Sequence, residues 1–166
     1  VQVDLWDKES GYYLNGTYYG AKNLLAIGGA IQGQSGNKAA TVDFLMERKL
    51  PDGSVISIES EYANYDGLGG YDSGFGLSEG AYILGAYMFP QQVGAGKFEV
   101  LGKYAEAHFR RSLGVNPAYD QKTTEINFNY VMKEFNSRLM FFYKNTDFNA
   151  VKTDFWQSGM GLQIQM

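Results

Sequence analysis

Residues 154–166 read DFWQSGMGLQIQM and fall into two rows when every second position is taken. Trp156, Ser158, Met160, Leu162, Ile164 and Met166 form one row; Phe155, Gln157, Gly159, Gly161, Gln163 and Gln165 form the other. A period of two, greasy on one side and polar on the other, specifies a β-strand.

The same alternation recurs upstream. In 123–134, Ile126, Phe128, Tyr130 and Met132 oppose Glu125, Asn127, Asn129 and Lys133. In 97–111, Phe98, Val100, Gly102 and Tyr104 oppose Lys97, Glu99, Leu101 and Lys103. Residues 138–146 set Leu139, Phe141 and Tyr143 against Arg138, Met140, Phe142 and Lys144. Residues 54–66 set Ile56, Ile58, Ser60 and Tyr62 against Ser57, Glu59, Glu61 and Ala63. Residues 40–50 set Val42, Phe44 and Met46 against Asp43, Leu45, Glu47 and Lys49. Segments 1–7, 24–34 and 81–89 bring the predicted strands to nine, and no stretch carries a helical period. The fold class is therefore all-β, in a single domain spanning 1–166.

The connections divide by length. Pro51-Asp52-Gly53 is a tight turn, since Pro presets φ and Gly permits φ > 0; 91–96 and 136–137 are short as well. The loops 67–80, 112–122 and that near Asn149 are longer, and they fall on the opposite rim. Residues 7–23 form a structured connection rich in tyrosine, and 34–38 a loop. Short turns on one rim with longer loops on the other are the pattern of outer-membrane barrels.

Alternation alone leaves the direction of the faces open, because a soluble barrel turns the greasy row inward and a membrane barrel turns it outward. Three features favour the membrane. The polar rows carry repeated charges and amides, as a wet lumen requires. Tyr62, Tyr65, Tyr104, Tyr143 and Trp156 gather near strand ends, where interfacial girdles lie. The strands reach about ten residues, the length that crosses a bilayer at a tilt of roughly 45°. Mean hydropathy of −0.30 does not oppose this, since alternation hides apolar surface from a running average. No apolar run approaches the roughly 18 residues of a membrane helix. The start, VQVDLWD, lacks the basic and apolar regions of a signal peptide, so the expectation is a removed leader or a start within a longer chain.

The closing strand, apolar at its last, third-last and fifth-last positions, resembles the C-terminal signature of bacterial outer-membrane β-barrels, with Met166 where Phe is usual. Trp6-Asp7, Gly11-Tyr12-Tyr13, the run GTYYGAKNLLAIG at 16–28, Phe89-Pro90, VGAGK at 93–97 and GLQIQM at 161–166 resemble, in order, the C-terminal half of the phosphate-selective porin O and P family. That resemblance implies a homotrimeric, antiparallel up-and-down transmembrane β-barrel of about 16 strands, roughly twice this length, in the bacterial outer membrane. Nine strands do not close an even-numbered barrel. Two forms stay open: a portion of a porin of about 16 strands, or a small eight-stranded barrel in which 1–7 is not a full strand.

On the porin reading the chain contributes to a passive diffusion channel for small hydrophilic solutes, anions such as phosphate among them. Lys97, Lys103, Lys133, Arg138 and Lys144 are the cations expected on the lumen, alongside Glu59, Glu61, Glu99, Glu125, Asn127 and Asn129. Their mixed sign argues for a general channel. Ile126, Phe128, Tyr130, Leu162, Ile164 and Met166 are expected to face outer-membrane lipid. Further strands from a longer chain are the other expected partner. A small closed barrel serving as anchor or adhesion surface without conductance is the alternative; a soluble barrel binding a lipid-like molecule stands behind it.

Other chemistry finds little footing. The absence of cysteine excludes thiol catalysis, cysteine metal sites and disulfides. A net charge of −4 lacks the footprint of a nucleic-acid binder. His108 is the only histidine, expected as an exposed rim residue. The stretch 66–72 lacks the bidentate Glu of a calcium loop, and Glu59 with Glu61 has no partner from a second strand to make a glycosidase pair. Neither enzyme activity nor a cofactor or metal is expected.

Overall fold

The computed structural model describes residues 1–8, 17–67, 75–112, 118–133, 137–149 and 153–164. Nine strands form a single antiparallel sheet in chain order: β1 (Gln2–Asp4), β2 (Leu24–Gln34), β3 (Asn37–Lys49), β4 (Val55–Asp66), β5 (Phe75–Met88), β6 (Lys97–Ser112), β7 (Tyr119–Lys133), β8 (Ser137–Phe148) and β9 (Phe155–Ile164). Each strand pairs only with those before and after it, the up-and-down arrangement that the alternating turns predict.

Several strands begin earlier than their hydrophobic pattern suggests. β5 starts at Phe75 rather than 81, because Ser78, Glu79 and Gly80 pair in register with Tyr65, Asn64 and Ala63 of β4. β7 likewise starts at Tyr119, held by Phe109 opposite and by ring stacking at 4.5 Å between centroids. In both cases the partner strand supplies hydrogen bonds and contacts that local propensity does not. The loop expected at 34–38 is a two-residue hairpin turn on the rim expected to carry the longer loops. Residues 89–96 and the connection from β1 to β2 lie on the other rim, so the expected division of loop lengths between the rims does not hold. Gln34 pairs with Asn37, while Ser35 (φ 51°) and Gly36 (φ 86°) both occupy the left-handed region, as the type I′ turn demands. β1 keeps only three residues, although Leu5 and Asp7 continue donating backbone N–H bonds to Leu25 and Asn23. At the opposite rim, Gly53 (φ 84°) closes the 51–53 turn by donating to Leu50, and Asp52 accepts from Ser54 N–H at 3.0 Å and Oγ at 2.6 Å. Those two bonds hold the Asp52 carboxyl below the usual carboxylate range.

Register places the greasy row of every strand on one face. Val42, Ser60, Tyr62, Ile83, Tyr104, Ile126, Phe128, Phe141, Tyr143 and Met160 follow one another through the ladders on that side. The side is uncovered: Phe128 is 54 % exposed, whereas its neighbour Asn129 is 3 % exposed. The strand residues that are buried, among them Leu24, Glu47, Val55, Ser57, Glu99, Val131 and Thr146, lie on the other face. This reverses the usual ordering of a soluble domain, in which charged residues are almost never fully buried.

The sheet curls toward the polar face. Glu47 on β3 and Arg138 on β8 are five ladders apart, about 24 Å along the sheet at the usual strand spacing. Both nevertheless reach the short segment 18–20: Glu47 accepts from the Tyr18 and Gly20 amides, and Arg138 donates to the Tyr19 hydroxyl. Among the described residues no ladder joins β1 to β9, and β1 covers β2 only at Ala26, Ile27 and Gly28, with Val1 adding a pair of bonds to Gly29.

The β2–β3 turn gives a clean test of the hairpin geometry. A Cβ on Gly36 would touch nothing within 4 Å, so Gly36→Ala isolates the cost of the left-handed backbone. The expected loss is about 1–2 kcal/mol, read as a lower urea midpoint. An unchanged midpoint would show that this turn is not formed.

Candidate functional site

The polar face is the candidate site, and register arranges it in layers. One layer runs Leu45, Glu59, Leu84, Lys103, Glu125, Lys144, Gln157 across seven strands. Glu125 therefore sits between Lys103 and Lys144, and neither lysine comes within ion-pair distance of it. Glu125 instead accepts from Asn127 Nδ2 at 3.0 Å. The Lys103 ammonium stands 4.3 Å above the Tyr82 ring, a cation–π contact. The Tyr82 hydroxyl, in turn, donates to Glu59.

Nearer the short-turn rim the charges are buried and individually satisfied. Glu47 is 0 % exposed. Its two oxygens accept from Tyr18 N–H at 2.8 Å and Gly20 N–H at 2.7 Å, and the Ser57 hydroxyl lies at 3.4 Å. Successive amides converging on one anion form a nest. The backbone adopts that shape through Tyr19 (φ 52°) and Gly20 (φ 81°). Tyr19 holds a conformation that side chains seldom take, and such strain persists only when its surroundings over-determine it. Glu99 accepts from Asn129 Nδ2 at 2.8 Å. Arg138 donates from Nε to Gln163 at 2.8 Å and from Nη1 to the Tyr19 hydroxyl at 3.2 Å. Burial pushes the Tyr19 hydroxyl above its ordinary pKa, against the lowering influence of Arg138.

A cavity of about 190 Å³ lies between these groups, lined by Thr17, Tyr19, Ser57, Glu59, Glu99, Arg138 and Gln163 among others. A second, of about 400 Å³, opens toward the short-turn rim beside Tyr19, Met88, Gln92, Lys97, Val131 and Lys133. Polar and charged side chains of both signs thus border water-sized space along the inner face.

No family model, curated protein or solved structure matches the chain.

Most of the expected site residues share this face: Lys97, Lys103, Arg138, Lys144, Glu59, Glu61, Glu99, Glu125, Asn127 and Asn129. Lys133 stands apart. A register shift between Val131 and Lys133 sets it opposite Ser137, whose other partner Ile164 is on the greasy face. It is exposed at the end of β7, at the mouth of the second cavity. Ile126, Phe128, Tyr130, Leu162 and Ile164 share the uncovered greasy face, while Met166 lies outside the described residues. So do most of 66–72 and the Gly11–Gly16 part of the family-like stretch.

His108 needs correction. It is half-buried on the greasy side of the long-loop rim, with Nδ1 2.7 Å from Asp120 and Nε2 3.5 Å from Glu106. Arg110 and Lys122 complete the group by pairing with Asp120 and Glu106. The orienting carboxylate comes from the facing strand, twelve residues on, where reading its immediate neighbours does not find it. Sequence reasoning also missed Glu47 with its nest, Tyr82 and Gln163. Alternation places Glu47 on the polar face, but nothing local marks it as the acceptor for amides 27 and 29 residues earlier.

Asn129 tests whether the inner carboxylates rely on such partners. Asn129→Ala leaves Glu99 without its amide donor in a buried place, at an expected cost of about 1–3 kcal/mol. Equilibrium unfolding measures this directly. A loss near zero would mean that Glu99 is hydrated rather than held by the amide.

Proposed function

We propose that the chain is part of the wall of an outer-membrane β-barrel that passes small hydrophilic solutes by passive diffusion. One observation carries the reading: the greasy rows of eight successive strands lie uncovered on one face, while carboxylates, amides and ammonium groups lie on the concave other. Hydrocarbon is the solvent that rewards such an inverted arrangement, and water inside a barrel is the one that suits the polar rows. Tyr62, Tyr104, Tyr143 and Trp156 on the outer row, followed toward the long-loop rim by Glu79, Glu106, Asp120 and Lys122, match an aromatic girdle giving way to headgroups, whereas Tyr65, expected in that girdle, lies on the inner face opposite Ala39 and Ser78. The resemblance to the porin O and P family points the same way.

This reading requires more strands. The outer edge of β9 and the upper part of β2 carry backbone groups without a ladder partner among the described residues, and each unpaired group costs several kcal/mol in hydrocarbon. Strands of a longer chain would close the barrel, and a homotrimer is what the family resemblance implies. The inner charges offer no dominant sign: Lys49, Lys97, Lys103, Arg138 and Lys144 face Asp43, Glu59, Glu61 and Glu125. A general channel with weak charge preference follows. The closed, non-conducting barrel that anchors or adheres has one observation in its favour, the hydrogen-bonded bridge from Glu47 through residues 18–20 to Arg138 on the inner face.

Natively purified protein added to a planar bilayer should give stepwise conductance; folded protein in a silent bilayer would favour the anchor instead. The faces can be tested separately. Phe128→Lys should cost about 2–4 kcal/mol of stability in the bilayer, whereas Asn127→Lys should be close to neutral. Equal effects from the two would remove the basis for the outward greasy row.

A further inference from the structure

Residues 17–20 form a strap held against β3 on the concave face, from which the Tyr19 side chain reaches Arg138 of β8, and both inner cavities touch that side chain. Tyr19 lines the cavity of about 190 Å³ that faces Glu59 and Glu99, and it also lines the cavity of about 400 Å³ that opens to the rim beside Lys97 and Lys133. Among the lining residues of these two cavities, Tyr19 is common to both. The Glu47 carboxylate fixes the strap backbone on either side of Tyr19, through the Tyr18 and Gly20 amides, and the bond from Arg138 fixes the Tyr19 hydroxyl. Arg138 cannot swing freely, because its Nε is committed to Gln163.

We propose that this strap is the constriction of the channel at its short-turn end, and that Tyr19 and Arg138 are the pair a solute must pass between the two cavities. The inference rests on the channel reading above. Glu47 acts as a positioning residue: it touches no solute but holds the amides that aim Tyr19 across the face. A solute moving from the rim leaves the Lys97 and Lys133 side, meets a hydroxyl and a guanidinium, and then meets Glu59 and Glu99. The order of charges is thus cationic, neutral-polar with one cation, then acidic. Such a sequence slows ions of either sign more than it slows a neutral polar solute of similar width.

Two substitutions separate the side chain from the strap. Tyr19→Ala removes the side chain common to both cavities and leaves the two amides of the Glu47 nest in place. Gly20→Ala attacks the strap itself, since φ there is 81° and an added Cβ would lie 2.6 Å from Val55 Cγ2. Single-channel conductance in planar bilayers is read for each, together with hydrogen exchange of the two backbone amides that Glu47 accepts from, at positions 18 and 20. Tyr19→Ala should raise conductance about twofold, as a wider polar gap would, with both amides still protected. Gly20→Ala should raise conductance and lose the protection. Wild-type conductance retained by both variants would overturn the constriction while leaving the channel standing. A folded wild type that never conducts would overturn the channel and the constriction together, even with the amides protected.

Discussion

The structure depends on pairing between strands adjacent in the chain, with the two faces of every pair kept chemically distinct. Eight ladders carry the same division from β1 to β9, and a slip of one residue in the β6–β7 or β7–β8 ladder would put an ammonium or carboxylate beside Ile126, Phe128 and Phe141. Backbone hydrogen bonding and side-chain segregation therefore specify one register jointly. The register shifts, between Val131 and Lys133 in one ladder and between Phe75 and Ser78 in another, both fall near a rim, where a strand begins or ends.

Burial follows from curvature rather than from a greasy core. The concave side brings side chains of several strands together, so that Glu99, Asn129 and Glu47 lose water while Phe128 and Met160 remain open. The charged groups then need partners, and these find them locally: amides for Glu47, Asn129 for Glu99, Tyr82 for Glu59, Gln163 for Arg138. Carboxylate and cation are mostly kept apart inside. The ion pairs of the described residues are instead concentrated on the outer face at the long-loop rim, around His108, Asp120, Glu106, Arg110 and Lys122. Pairing there ties β6 to β7 where no curvature supports them.

What could be read in the sequence was what repeats. The period of two in 123–134 and 154–166 gave both the strand type and the membership of each face, because it depends only on spacing. Strand starts at Phe75 and Tyr119 were hidden, since Ser78, Glu79 and Asp120 have little intrinsic preference for strands and are recruited by partners far along the chain. The Ser35-Gly36 turn was masked by the polar run around it, which reads as a longer loop. The strap was beyond reach for a different reason. Tyr18, Tyr19 and Gly20 look like one more tyrosine-rich connection until the β2–β3 pairing sets Glu47 opposite Leu24, within reach of them.

The bond between Tyr19 and Arg138 joins residues 119 apart in the chain, whereas each ladder joins neighbouring strands. Hairpins that pair with the next strand can form early and in any order, since little chain entropy is lost in closing them. The long-range bond has to wait until the strands between β2 and β8 are in place and bent. It is a marker of curvature: a form with every ladder paired but the sheet still flat would lack it. The tyrosine hydroxyl thus reports that a ribbon of hairpins has become a hollow.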